Sequence, residues 1–227
     1  MEPFRENKTA QRDVYEKIKL GILCRKYPEN SYLVERKMAE ELFVSRTPVR
    51  QAFKLLETEG WITYIRNRGM KVTILSEQEV HDIFEVRKPL EGLAAVTACQ
   101  CIEWAELQQL KECIEEQTTA KNQKDWNLFI DVDLKFHNIL LYTQKNKIMR
   151  QILLDLRGKS KLIGIRILYG DKGRLELTLN EHNKIYYAIL RNHPEEAQQC
   201  MEEHIQSVYE AACDYLAVVR KTYLSNM

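Results

Sequence analysis

No stretch of this 227-residue sequence approaches the roughly 18 uninterrupted apolar residues that a membrane-spanning helix needs. The N-terminus is polar and lacks a secretory signal pattern, so a cytoplasmic protein is expected. The six cysteines, Cys24, Cys99, Cys101, Cys113, Cys200 and Cys213, form no CxxC pair and no zinc-finger spacing. In a reducing compartment they read as core thiols. Strong net charge is missing too, with 34 Lys and Arg against 33 Asp and Glu. That balance hides an asymmetry: residues 1–75 hold 15 basic and 10 acidic side chains, the remainder 19 and 23. A basic front half on an acidic back half suits a nucleic-acid reader joined to a second domain, and the length allows two.

In the front half, Val14, Ile18 and Ile22 predict an amphipathic helix from about residue 10 to 23. Residues 25–34 read as a loop, and a short helix over 35–42 turns Met38, Ala39 and Leu42 inward. After a turn at Phe43-Val44, Ser45 is placed to cap a helix whose first turn holds Arg46, Thr47 and Pro48. Arg46, Thr47 and Arg50 point outward and Val49, Phe53 and Leu56 inward, until Gly60 ends the helix. Two β-rich runs, 61–65 and 70–74, flank the basic turn Arg66-Asn67-Arg68-Gly69 and predict a hairpin. Three helices and a hairpin make a winged helix-turn-helix, with Arg66 and Arg68 at the wing tip in reach of phosphates or a minor groove. Taken one at a time, these arginines read equally well as solvated surface.

Residues 10–74 resemble the DNA-binding domain of the GntR family of bacterial transcription regulators. The resemblance rests on Glu35-Arg36-Lys37-Met38-Ala39, the Val44-Ser45-Arg46-Thr47-Pro48-Val49-Arg50 core, the Leu56-Glu57-Thr58-Glu59-Gly60 stop and the Asn67-Arg68-Gly69 wing. It implies contacts to bases or phosphates from Arg36, Arg46 and Arg50. It also implies that Ser45, Thr47 and Pro48 lie against the backbone or base edges, and that Gly69 lets the wing approach closely. Phe43 stands where the family usually has Gly, and Pro28-Glu29 where it has Pro-Gly.

Behind the wing, Ser76-Glu77-Gln78-Glu79 has the form of a capping box and marks a domain boundary at 75/76. From there the sequence shows no convincing strand pattern. About six helices, over 77–101, 103–121, 125–142, 146–169, 173–191 and 194–222, predict an antiparallel all-α bundle, so the chain as a whole is mainly α. Asp133 and His137 lie four residues apart within the apolar stripe of the third of these helices. His182 shares a face with Ile185, Tyr186 and Ile189, and His204 with Met201, Ile205 and Val208. One inward histidine is more often a hydrogen-bonded core residue than a ligand. Three of them with a carboxylate predict a divalent metal site, with zinc the first expectation and nickel, manganese or iron also compatible. Arg87 falls on the stripe of the first bundle helix and needs an anionic partner, either a ligand carboxylate or Glu91 one turn away.

Residues 77–227 resemble the ligand-binding FCD domain found behind many GntR-type domains, placing the chain in the FadR subfamily and, by its helix count, near the VanR-type branch. The resemblance implies metal binding by Asp133, His137, His182 and His204, and an effector cavity faced by Arg87. The expected protein is a homodimeric regulator, a repressor by family habit, that binds a pseudo-palindromic operator and responds to a small carboxylate. Two other readings stand beside it. The metal could be structural or itself the signal. A metal-dependent hydrolase is the rival from another class, although no nucleophile or general base accompanies the ligands, since Glu181 and Glu203 would point off the ligand face.

Overall fold

Val14, Ile18 and Ile22 are at most 5% exposed and form the inward stripe of α1 (Pro3–Leu23). The computed structural model describes residues 3–23, 26–73, 76–170 and 173–224, which fall into two units, 1–74 and 75–227. In the first unit α1 packs on α3 (Arg46–Thr58), whose Val49, Ala52, Phe53 and Leu56 are buried. Between them, α2 (Glu35–Glu41) buries Met38 and Ala39, while Leu42 is only half-buried. Glu59 ties the ends of this assembly together. Its Oε2 accepts from the Tyr15 hydroxyl at 2.6 Å and from Trp61 Nε1 at 3.0 Å.

The loop expected over 25–34 contains a strand, β1 (Tyr32–Leu33). It joins β2 (Ile62–Ile65) and β3 (Gly69–Val72) in a three-stranded antiparallel sheet of order β1-β3-β2. Leu33 pairs with Met70 and Tyr32 with Lys71, whereas Ile65 pairs with Gly69 across the wing turn. Gly69 has φ +98°, and a Cβ there would sit 2.7 Å from the Leu33 carbonyl oxygen. The residue is glycine because β1 runs past it, a fold requirement separate from any approach to DNA.

The second unit consists of α4 (Glu77–Cys101), α5 (Trp104–Gln123), α6 (Trp126–Tyr142), α7 (Lys147–Gly170), α8 (Arg174–Leu190) and α9 (Pro194–Leu224). The Ser76 hydroxyl caps α4 by accepting from Glu79 N at 3.0 Å. The Glu79 carboxylate does not close the box; it accepts from Lys159 Nζ of α7 at 2.5 Å. α4 and α9 run antiparallel along their length, as the contacts Lys88–Gln206 and His81–Tyr209 require. α8 packs against α9 and α5, and α6 lies between α5 and α7. Thus α4, α6, α8 and α9 all contribute side chains to one interior.

Cys113 is buried, Cys99, Cys200 and Cys213 are half-buried, and Cys101 is exposed, so among the described cysteines the core-thiol expectation applies fully only to Cys113. Cys24, Ile74, Asp171 and Lys172 lie outside the described residues. Among those residues, no helix is long and apolar enough to cross a membrane.

Candidate metal centre and nucleic-acid interface

Asp125 starts α6 by accepting from Leu128 N, and the helix then carries Asp133 and His137 inward one turn apart. α8 brings His182 to the same point and α9 brings His204. The three imidazoles are at most 2% exposed. Phe136 stacks on the His182 ring at 4.2 Å with an interplanar angle of 7°, fixing its plane. Each of the four residues offers one ligand atom, and these atoms lie within 4.8 Å of one another. His204 Nε2 is 3.3 Å from His137 Nε2, and His182 Nε2 is 3.5 Å from Asp133 Oδ1. Ligands on one ion at about 2.0–2.2 Å lie no more than roughly 4.4 Å apart, so separations near that limit have to contract only by tenths of an ångström.

The outward nitrogen of each ring has its own acceptor. His182 Nδ1 donates to Gln117 Oε1 at 2.8 Å, and His204 Nδ1 to Glu181 Oε2 at 2.8 Å. His137 Nδ1 lies 2.5 Å from Glu91 Oε2, a close charge contact outside good hydrogen-bond alignment. For His182 and His204 these acceptors assign the proton to Nδ1, leaving their Nε2 lone pairs to face His137 Nε2 and the Asp133 carboxylate. Nε2 of His182 has no hydrogen-bond partner. Burial, then the neighbouring imidazoles His204 and His137, holds His182 well below its usual pKa, and burial lowers His204 against the pull of Glu181. Neutral rings with converging lone pairs are the ligand-competent form, and the residues fit a divalent ion.

Two of these acceptors are themselves gripped by arginines. Arg87 Nε donates to Glu91 Oε1 at 2.7 Å, and Arg174 Nη2 to Glu181 Oε2 at 2.7 Å. Burial raises the pKa of Glu91, but Arg87 and His137 outweigh it and hold the carboxyl well below its ordinary range. Glu181 is lowered in the same way by His204 and Arg174. Arg87 therefore has its Glu91 partner and also lines a cavity of about 40 Å³ together with Asp133, Ser160, Arg174, Thr178 and His204. That exceeds the roughly 10–15 Å³ a water needs. Gln117, Arg174, the contact of Glu91 with His137 and the inward role of Glu181 are not legible in the sequence. Glu181 does leave the His182 face, as its spacing requires, but only to meet His204 of the next helix. His81 and His193 stay outside the cluster, on Tyr209 and Glu196.

In the first unit, Ser45, Arg46, Thr47, Arg50, Arg66 and Arg68 are exposed. Ser45 stands at the N-cap of α3, but its hydroxyl makes no capping bond. Arg50 grips Glu35 of α2 through Nε and Nη2, both at 3.0 Å, and Arg36 pairs with Glu40 at 2.9 Å. Arg68 lies over the Tyr32 ring. Pro48, expected against the backbone or base edges, is buried in the first turn of α3. Gly69 is half-buried beside β1.

Two family descriptions match this architecture. "Bacterial regulatory proteins, gntR family" covers residues 10–72, and "FCD domain" covers residues 82–207. An uncharacterized HTH-type transcriptional regulator of Bacillus subtilis, YdhC, is 27% identical over 89% of this chain and 88% of its own. The HTH-type transcriptional repressor RspR of Escherichia coli K12 is 26% identical over 79% of this chain and 78% of its own. The solved structure of E. coli McbR/YncC shares the fold, with a TM-score of 0.61 at 19% identity over 96% of this chain and 98% of that one.

Proposed function

The chain belongs to the GntR family of bacterial regulatory proteins, with an FCD domain behind its winged helix, and from that premise we propose a homodimeric cytoplasmic repressor whose helical unit answers to a divalent ion and a small carboxylate. The matched families and relatives are transcription regulators, not enzymes, so the hydrolase reading falls. Repression is supported by the likeness to RspR, a repressor by name.

The first turn of α3 enters the major groove, with Ser45, Arg46 and Thr47 at base edges and phosphates. Arg36 and Arg50 share their charge between phosphates and the carboxylates of Glu40 and Glu35, and Arg66 and Arg68 follow the backbone from the wing. Two copies read two half-sites of a pseudo-palindrome. Gly69 serves by shaping the wing.

The observation that carries the metal reading is the convergence of three Nε2 atoms and one carboxylate in a buried interior, with the Nε2 of His182 left without a hydrogen-bond partner. Asp133, His137, His182 and His204 hold the ion, with zinc first and nickel, manganese or iron also suited to this donor set. When bound, the ion supplies positive charge at which a carboxylate can bind. Glu91 and Glu181 keep the rings in their Nε2-ligating tautomer, while Arg87 turns from Glu91 toward the effector carboxylate. Coupling to DNA follows if the effector prefers one arrangement of the two units.

The cavity of about 40 Å³ favours a second reading, in which the ion alone is the signal. Fluorescence anisotropy on a genomic fragment selected by the protein separates the two. Acetate should weaken DNA binding by zinc-loaded protein and leave zinc-stripped protein unaffected. An effect of zinc without any effect of acetate supports the second reading, and dependence on neither contradicts both.

A further inference from the structure

Arg157 stands on the inward stripe of α7, between Leu153, which is 2% exposed, and the cavity-lining Ser160. Its Nε and Nη2 are buried and have no hydrogen-bond partner. Two desolvated guanidinium N–H groups without an acceptor are among the costlier features a half-buried arginine can hold, and they call for a missing acceptor. Burial lowers its pKa, and the first charges acting on it are Glu91, Arg87 and Asp133, the wall of the metal centre. Without ligand, the Glu91 carboxylate is already shared between Arg87 and His137 and makes no hydrogen bond to Arg157.

Resting on the metal-and-carboxylate reading above, we propose that Arg157 receives the second carboxylate of a small dicarboxylate whose first carboxylate lies in the cavity beside Asp133 and His204. Counted charges agree. A divalent ion on Asp133 leaves one positive charge uncompensated and Arg157 leaves another, so a dianion neutralises both where a monoanion cannot. The fork of Arg157 suits a planar carboxylate.

The cavity has to open to admit such a ligand, and α7 is the wall placed to give way. Ser160, Gly164, Ile167 and Leu168 of α7 all line it, and α7, held mainly by α6 and α9, packs only sparsely on α4 and α8. Gly158, next to Arg157, faces open space, with nothing within 4 Å of where its Cβ would be. A glycine there loosens the helix without serving any packing need.

Calorimetric titration of zinc-loaded, full-length protein with succinate and butyrate tests the proposal. The wild type should prefer succinate by roughly tenfold or more, the scale of one charge-assisted pair. Arg157→Gln should bring succinate down to the level of butyrate, and Arg157→Lys should keep part of the preference. Equal affinities in the wild type, or a preference that survives Arg157→Gln, overturn the proposal. Binding of neither acid overturns the carboxylate reading itself and this proposal with it. Independently, Arg157→Met should not lower the melting temperature of the ligand-free protein, because it removes an uncompensated charge. A clear drop would mean that Arg157 is already paired.

Discussion

Glu181 of α8 accepts a hydrogen bond from Nδ1 of His204 of α9 at 2.8 Å, and Arg174 holds the same carboxylate at 2.7 Å. One acidic side chain thus fixes the tautomer of a candidate ligand and links it to a cavity-lining arginine. Arg87, Glu91 and His137 also come together in the cluster, with Glu91 in close contact with His137 Nδ1 rather than in an aligned hydrogen bond.

Removing the charge while keeping the shape tests that link. Glu181→Gln should weaken zinc binding about tenfold, the low end for outer-shell changes, because an amide oxygen still accepts a hydrogen bond. Competition against a chromogenic chelator measures it, and an unchanged Kd would reduce Glu181 to a packing residue.

Acid should destabilise the helical unit in two stages. His182 and His204 have folded pKa values lowered from 6.5, so the unfolded chain binds the extra protons as pH falls below that value. Their contribution is complete above about 6.5 and is lost as pH drops toward the folded values. Glu91 and Glu181, lowered from 4.5, lose theirs in the same direction in a more acidic window. Urea midpoints of zinc-free protein should fall between about pH 7.5 and 5.5, and a flat profile there would show that the rings are not buried as neutral species.

On the DNA side, Arg46→Ala should weaken operator binding roughly tenfold or more while the melting temperature stays unchanged, since Arg46 is exposed. Gel-shift titration with parallel melting checks both halves. Undiminished affinity removes Arg46 from the interface.

Gly69→Ala separates fold from contact. Its Cβ would press on the Leu33 carbonyl at a positive φ, so the winged unit should lose about 1–3 kcal/mol. An unchanged melting temperature would leave DNA approach as the reason for this glycine.

Much of this architecture is readable from apolar spacing. The six bundle helices follow the periodicity closely, because each buries one continuous stripe, and the four-residue interval of Asp133 and His137 shows them on one face. β1 escapes because two residues carry no alternation, and it exists only as the partner of Met70 and Lys71. α1 begins at Pro3 rather than near residue 10 because its polar first turns carry no stripe. The acceptors of the histidines escape for a different reason. Gln117 and His182 are 65 residues apart, so only helix packing makes them neighbours. Arg87–Glu91 was visible as a one-turn pair, whereas the second contact of Glu91, to His137, was not.

The central claim is that Asp133, His137, His182 and His204 hold a divalent ion, and elemental analysis of untagged protein purified without chelators tests it most directly. Near-stoichiometric metal in the wild type, lost in His182→Ala, is the predicted result. Metal-free wild type that takes up no added zinc, nickel, manganese or iron would contradict it.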